Sequence, residues 1–135
     1  LSRYQSDAPS QKLLNNARTG DPRKEIEDFF NNILNLHGYP CEQRGCLITN
    51  SIVELAYRDQ KLAVRFKTHI RQVENALYTL IKRGQETGDI NPWRDPRSLA
   101  RSLLASAHGL IVTSKVNQDQ GMLLDITKLA LSSLD

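Results

Sequence analysis

The stretch DPRSLARSLLASAHGLIVTSK, residues 95–115, decides the fold. Asp95-Pro96 is a helix start signal. A short acidic side chain accepts hydrogen bonds from the free N–H groups of a first turn, and proline at the first helical position gives up an amide that has no partner there anyway. Leu99, Leu103, Leu110 and Ile111 follow at helical spacing, and Ala100, Leu104 and Ala107 widen the apolar band. Ser102, Ser106, Gly109 and Thr113 add a ridge of small residues at intervals of three and four, which lets a second helix approach closely. A helix apolar around much of its circumference is buried on more than one side. It is either the central helix of a monomeric bundle or a helix shared between its own core and a two-fold partner. With about six helices in the chain and a terminal helix of equal breadth, the shared helix is the expectation.

The flanking sequence keeps the helical period, with no alternation of strand type. QKLLNNAR (11–18) ends a short helix before Gly20, and Asp21-Pro22 repeats the start signal. Ile26, Phe29, Phe30, Ile33, Leu34 and His37 then share a face until Gly38-Tyr39-Pro40. A third helix is expected from about Cys46 to Tyr57. Asp59 caps a fourth and longest one, in which Leu62, Phe66, Ile70, Val73, Leu77, Leu80 and Ile81 recur three or four apart. Gly88 suits the left-handed position that closes it. Asp119 caps the last helix, which carries Leu123, Leu124, Ile126, Leu129, Ala130, Leu131 and Leu134. The fold class is all-α, a bundle of about six helices.

Composition narrows the function. The net charge is +3, with acids and bases interleaved, so no basic cluster marks a nucleic-acid footprint within these residues. No apolar run approaches the roughly 20 residues that span a bilayer. Two cysteines in 135 residues fit a cytoplasmic protein with thiols rather than a disulfide scaffold. The chain begins LSRYQSD and its only methionine is Met122, which suggests a segment upstream. His37, His69 and His108 lie far apart with no metal-ligand spacing, and neither a phosphate-binding glycine loop nor a nucleophile–base grouping is present. Neither catalysis nor a metal or cofactor is expected; absorbance and metal analysis would expose a hidden one.

Taken in order, RGCLITNSIVELAYRD, the turn IKRGQETGDI, DPRSLARSLLASAHGLIVTSK and a short terminal helix resemble the ligand-binding, dimerising C-terminal domain of TetR-family transcriptional regulators. The similarity covers nearly the whole chain. It implies that a DNA-binding domain with a helix-turn-helix precedes these residues, that residues 1–20 end the linking helix, and that 21–135 form the effector-binding and dimerisation domain. It also implies a homodimer in which helices like 95–115 and 119–133 form a four-helix bundle. The residues expected at that interface are Leu99, Ser102, Leu103, Ser106, Gly109, Leu110 and Thr113, with Leu123, Ile126 and Ala130 from the last helix. A ligand in the domain would alter the spacing of two recognition helices, so that a repressor leaves its operator.

The ligand-site candidates are Phe29, Phe30, Ile33, Asn50, Val53, Phe66, His69, Ile70, Val73, Leu104 and His108, an apolar lining with a few polar groups. Their apolar members equally suit plain core packing, and the histidines suit core or boundary positions. Asn50 and His69 are the most informative, since each needs a partner if buried. Cys46 has two readings. Within Gly45-Cys46-Leu47 at a helix start its thiolate is favoured by the helix dipole; as a small polarizable residue it fills a core. The sequence is also similar to a TetR subgroup that senses electrophiles through the cysteine of this motif, assisted by a lysine six residues after a glycine in the penultimate helix, here Lys115 after Gly109. The surrounding residues differ from that subgroup. The rival function is a stand-alone helical module that docks a protein partner on the 95–115 surface.

Overall fold

A computed structural model describes residues 9–35, 59–117 and 119–135. Five helices fall among them: α1 (Pro9–Asn16), α2 (Pro22–Asn35), α3 (Gln60–Thr87), α4 (Pro96–Val116) and α5 (Gln120–Ser132). There is no strand among the described residues, as the all-α expectation requires. The helix expected over 46–57 lies outside them. No helix among them is long and apolar enough to cross a membrane.

Three of the four aspartate start signals and the glycine stop act where the sequence places them; at Asp21 it is the backbone carbonyl, not the side chain, that accepts, from the Glu25 N–H at 2.8 Å. Asp59 accepts from the Lys61 N–H at 2.9 Å, Asp95 from the Ser98 N–H at 2.9 Å, and Asp119 from the Gly121 N–H at 2.9 Å. Each satisfies an amide that a helix start leaves without an internal partner. Gly88 closes α3 at φ 88°, a left-handed conformation that costs glycine nothing.

Helix α3 is the spine, packing on α1, α2 and α4, while α5 lies along α4. Its burial is graded. Leu62, Phe66, His69 and Ile70 are half-buried, whereas Val73, Ala76, Leu77, Leu80 and Ile81 are fully in the core. The apolar face of α2 meets them with Ile26, Phe29, Phe30, Ile33 and Leu34; α4 contributes Leu99, Leu103, Leu104 and Leu110 from the other side. Ion pairing clamps α4 to α3 outside this core. Arg97 donates to Glu74 at 3.0 Å and to Asn75 at 2.9 Å, and its guanidinium lies 4.0 Å above the Tyr78 ring.

The turn between α3 and α4 is locked by packing. Ile90 is fully buried, and its N–H bonds to the Gly84 carbonyl at 3.1 Å. Gln85 spans the same turn, donating to the carbonyls of Asn91 and Arg94. The C-terminal residues close over it: Asn91 donates from its backbone to the Leu134 carbonyl and from its side chain to that of Asp135. Arg23 at the start of α2 pairs with Asp135 and Glu27 and donates to the Asp89 carbonyl. The two ends of the α4–α5 hairpin are thus fixed to the rest of the domain before any partner is considered.

Candidate functional site

Three half-buried side chains meet where the first half of α3 passes α4. Phe66 and His69 lie three residues apart on α3, and the His108 ring on α4 stands 6.3 Å from the Phe66 ring, centroid to centroid, inclined at 32°. Both imidazoles titrate below the ordinary histidine range. Burial lowers His69; burial, and then the charge of His69, lowers His108. Both are therefore neutral at pH 7, each offering one N–H donor and one acceptor nitrogen. Among the described residues neither has a hydrogen-bond partner. Polar groups out of water are normally paired, so this corner can accept polar atoms from a ligand while Phe66 and Ile70 supply apolar contact.

Other ligand-site candidates fall elsewhere. Phe29, Phe30, Ile33, Val73 and Leu104 belong to the continuous core, with Phe29 and Phe30 edge to face at 5.6 Å. Asn50, Val53 and Cys46 lie outside the described residues. Lys115 is half-buried in the last turn of α4. No group of three or more His, Cys, Asp or Glu among the described residues is arranged to hold a metal.

The interface candidates divide by burial. Leu99, Leu103, Leu110 and Leu123 are taken up by the chain's own core. Ser106, Thr113, Ile126 and Ala130 are half-buried, and Ser102 and Gly109 are exposed. What stays open is the back of α4: Ser98, Ser102, Ala105, Gly109, Val112 and Val116, spaced alternately four and three apart. Val112 is 50% and Val116 85% exposed, and Leu129 on α5 is 76% exposed, so this flank carries large apolar groups in water. At the N-terminal end of α4 the open face runs into a groove of about 460 Å³ bordered by Trp93, Asp95, Ser98, Leu99, Ser102 and Ser133. Trp93 is 93% exposed. Sequence reasoning named Ser102 and Gly109 on this face but not Ser98, Ala105, Val112 or Val116, and placed Trp93 in a connection; the regular spacing of Ser98, Ser102, Ala105 and Gly109 was the available signal.

Comparison with known proteins agrees with this architecture. Residues 22–128 match the family described as tetracyclin repressor-like, C-terminal domain. The chain belongs to the TetR family of transcriptional regulators. It is also 32% identical, over 117 residues, to an uncharacterized HTH-type transcriptional regulator, YezE, of Bacillus subtilis (strain 168). That alignment covers 86% of this chain and 60% of the relative, so the chain spans less than two thirds of the relative's length. No solved structure matches the chain. Among the described residues, two features of this C-terminal domain stand out: the imidazole corner between α3 and α4, and the exposed back of α4.

Proposed function

We propose that this domain senses an effector and dimerises in a TetR-type repressor, which leaves its operator when a small organic ligand binds or an electrophile reacts. The reading rests on one observation above all: two neighbouring neutral imidazoles, unpartnered among the described residues, at the edge of an apolar core. A ligand with a polar group and an apolar body pairs with His69 and His108 and packs on Phe66 and Ile70. Both helices of the corner lead outward from it: α4 bears the proposed dimer face, and α3 holds the turn that follows α1 through Arg83, which donates to the Ala17 carbonyl at 2.9 Å. The ligand acts as an inducer if it binds the DNA-incompetent arrangement more tightly than the competent one. DNA contact belongs to a helix-turn-helix ahead of these residues, and no catalysis is involved. In the electrophile form of the reading, Cys46 is the reacting thiol and Lys115 assists it.

The test pairs two assays on the full gene product. Small organic and electrophilic compounds are screened for a rise in melting temperature, and hits are tested for release of DNA from the protein's own promoter region. A true effector does both, and Phe66→Ala with His108→Ala removes the thermal shift while leaving the unliganded protein folded. Protein that never retains promoter DNA refutes the repressor reading and favours a stand-alone interaction module. For the electrophile form, release by a maleimide that persists unchanged in Cys46→Ser refutes the thiol role.

A further inference from the structure

The helices that form the imidazole corner carry charge of one sign. Residues 60–73 of α3 hold Lys61, Arg65, Lys67 and Arg71 and no acidic side chain. All of α4 holds Arg97, Arg101 and Lys115, and again no acidic one. Glu74, the first carboxylate of α3 after the corner, is already taken up by Arg97 at 3.0 Å and Arg101 at 3.4 Å. Lys61, Arg65, Lys67 and Arg71 are exposed and have no ion-pair partner among the described residues. A small anion approaching this part of the α3–α4 pair meets a field of favourable sign.

Within that field His69 and His108 are half-buried, close enough for the charge of one to act on the other. Phe66, His69 and Ile70 share a face of α3 by their spacing of three and four, and the Phe66 ring faces His108. The titratable groups of the helices packed around the pair leave no mark on either ring. These are Lys12 on α1, Arg23, Lys24, Glu25, Glu27 and Asp28 on α2, and Asp125 and Lys128 on α5. Nor do the cations of α3 and α4 act on them. Among the described residues, then, no carboxylate of the chain supports a charged imidazole here. That place is open to a carboxylate brought by a ligand.

A neutral ligand such as an amide would find a donor and an acceptor on the two rings, but would gain nothing from the surrounding cations. A carboxylate only accepts, so it draws an N–H from each ring. A proton on one ring makes that bond charge-assisted, roughly twice as strong as a neutral one, and the anion offsets the cost of charging a half-buried imidazole. The second ring stays neutral, because two adjacent imidazolium ions repel.

We infer that the effector taken at this corner is a monocarboxylate with an apolar body, bound as its anion between the His69 and His108 rings, with one proton drawn from water for each ligand. The inference rests on the effector site proposed above and adds the chemical class of the ligand and its coupling to protons. The apolar body lies on Phe66 and Ile70. Binding raises the pKa of the ring that pairs with the anion. Affinity is therefore highest below the value of the unliganded ring and falls as pH rises through that of the liganded one, by up to about tenfold per pH unit for one proton. A carboxylic acid of ordinary pKa, about 4, stays ionised throughout this range.

The test is titration calorimetry on the full gene product with benzoate, phenylacetate and hexanoate, each set against its own amide, at pH 6, 7 and 8. A carboxylate binds more tightly than its amide, and more tightly at pH 6 than at pH 8. At pH 7, binding enthalpies in two buffers of different ionisation heat give an uptake close to one proton per ligand. That uptake is lost in His69→Gln with His108→Gln, which keeps donors but cannot take a charge. Arg65→Gln with Lys67→Gln alters only exposed side chains, so it reads the field in a protein whose packing is intact: carboxylate affinity falls and its salt dependence shrinks. An amide bound as tightly as its acid, or a carboxylate bound without a proton, overturns the inference and leaves a corner for neutral effectors standing. Carboxylate binding and proton uptake unchanged in the double histidine variant overturn the site. Inorganic phosphate bound as tightly as benzoate overturns the need for an apolar body. If no carboxylate binds while another compound gives a melting shift that Phe66→Ala with His108→Ala removes, the acid class alone is overturned. If no compound of any kind shifts the protein, the effector reading falls with it.

Discussion

Gly84 and Ile90 fix the turn that aims α4, and the steric relation between them allows a quantitative test. A methyl group at Gly84 would lie 2.5 Å from Ile90 Cδ1, 2.7 Å from Cγ1 and 3.3 Å from Cβ. Carbon atoms settle at about 3.5–4.0 Å, so the nearest contact is short by about 1 Å. Ile90 cannot retreat, because it is fully buried and its N–H is bonded to the Gly84 carbonyl at 3.1 Å. Gly84 is not among the glycines of positive φ, so alanine meets no backbone penalty and gains helix propensity. Overpacking costs about 1–3 kcal/mol and the propensity gain offsets up to about 1 kcal/mol. Gly84→Ala therefore loses roughly 1–2 kcal/mol, by the same principles. Ile90→Val alone loses about 0.5–1.5 kcal/mol as a cavity. Together they compensate in part, because valine lacks the Cδ1 at 2.5 Å, though it keeps a γ carbon where Cγ1 lies at 2.7 Å, and a coupling of about 1 kcal/mol is expected for residues in contact. The assay is urea unfolding followed by circular dichroism at one fixed protein concentration, since dimerisation shifts apparent stability. Additivity within about 0.5 kcal/mol, or a Gly84→Ala protein as stable as wild type, refutes the steric account.

Two further outcomes follow from the packing. His69 and His108 titrate below the ordinary value of 6.5 in the fold, so between the folded and unfolded values the unfolded chain binds more protons. Their contribution is complete above the unfolded value and is lost as pH falls through the folded values; His108→Gln flattens that slope in urea titrations between pH 7.5 and 5. Arg97→Lys keeps the charge but loses the planar contact over Tyr78 and the fixed reach to Glu74 and Asn75. A loss of about 1 kcal/mol in urea midpoint stability is expected, and an unchanged midpoint excludes a role for guanidinium geometry.

Local chemistry made most of the fold legible in the sequence. Asp59, Asp95 and Asp119 cap the helices they precede, Pro22 and Pro96 open theirs, and Gly88 adopts the left-handed closing turn, since each effect acts within a few residues of chain. The apolar period likewise fixed which residues share a face. The same reasoning could not see that Phe66 approaches His108, because that contact joins helices brought together only by the packing of α3 on α4.

Helix α4 marks the boundary most clearly. Its sequence determined a helix apolar on several sides, with small residues along one edge, because propensity and periodicity belong to a single strand of chain. Which side faces inward was decided by tertiary packing. Leu99, Leu103 and Leu110 were claimed by α2, α3 and α5, and the back of the helix, from Ser98 to Val116, was left open. Periodicity gives the direction of a side chain relative to its own helix axis, whereas burial depends on what other helices occupy the space it points into.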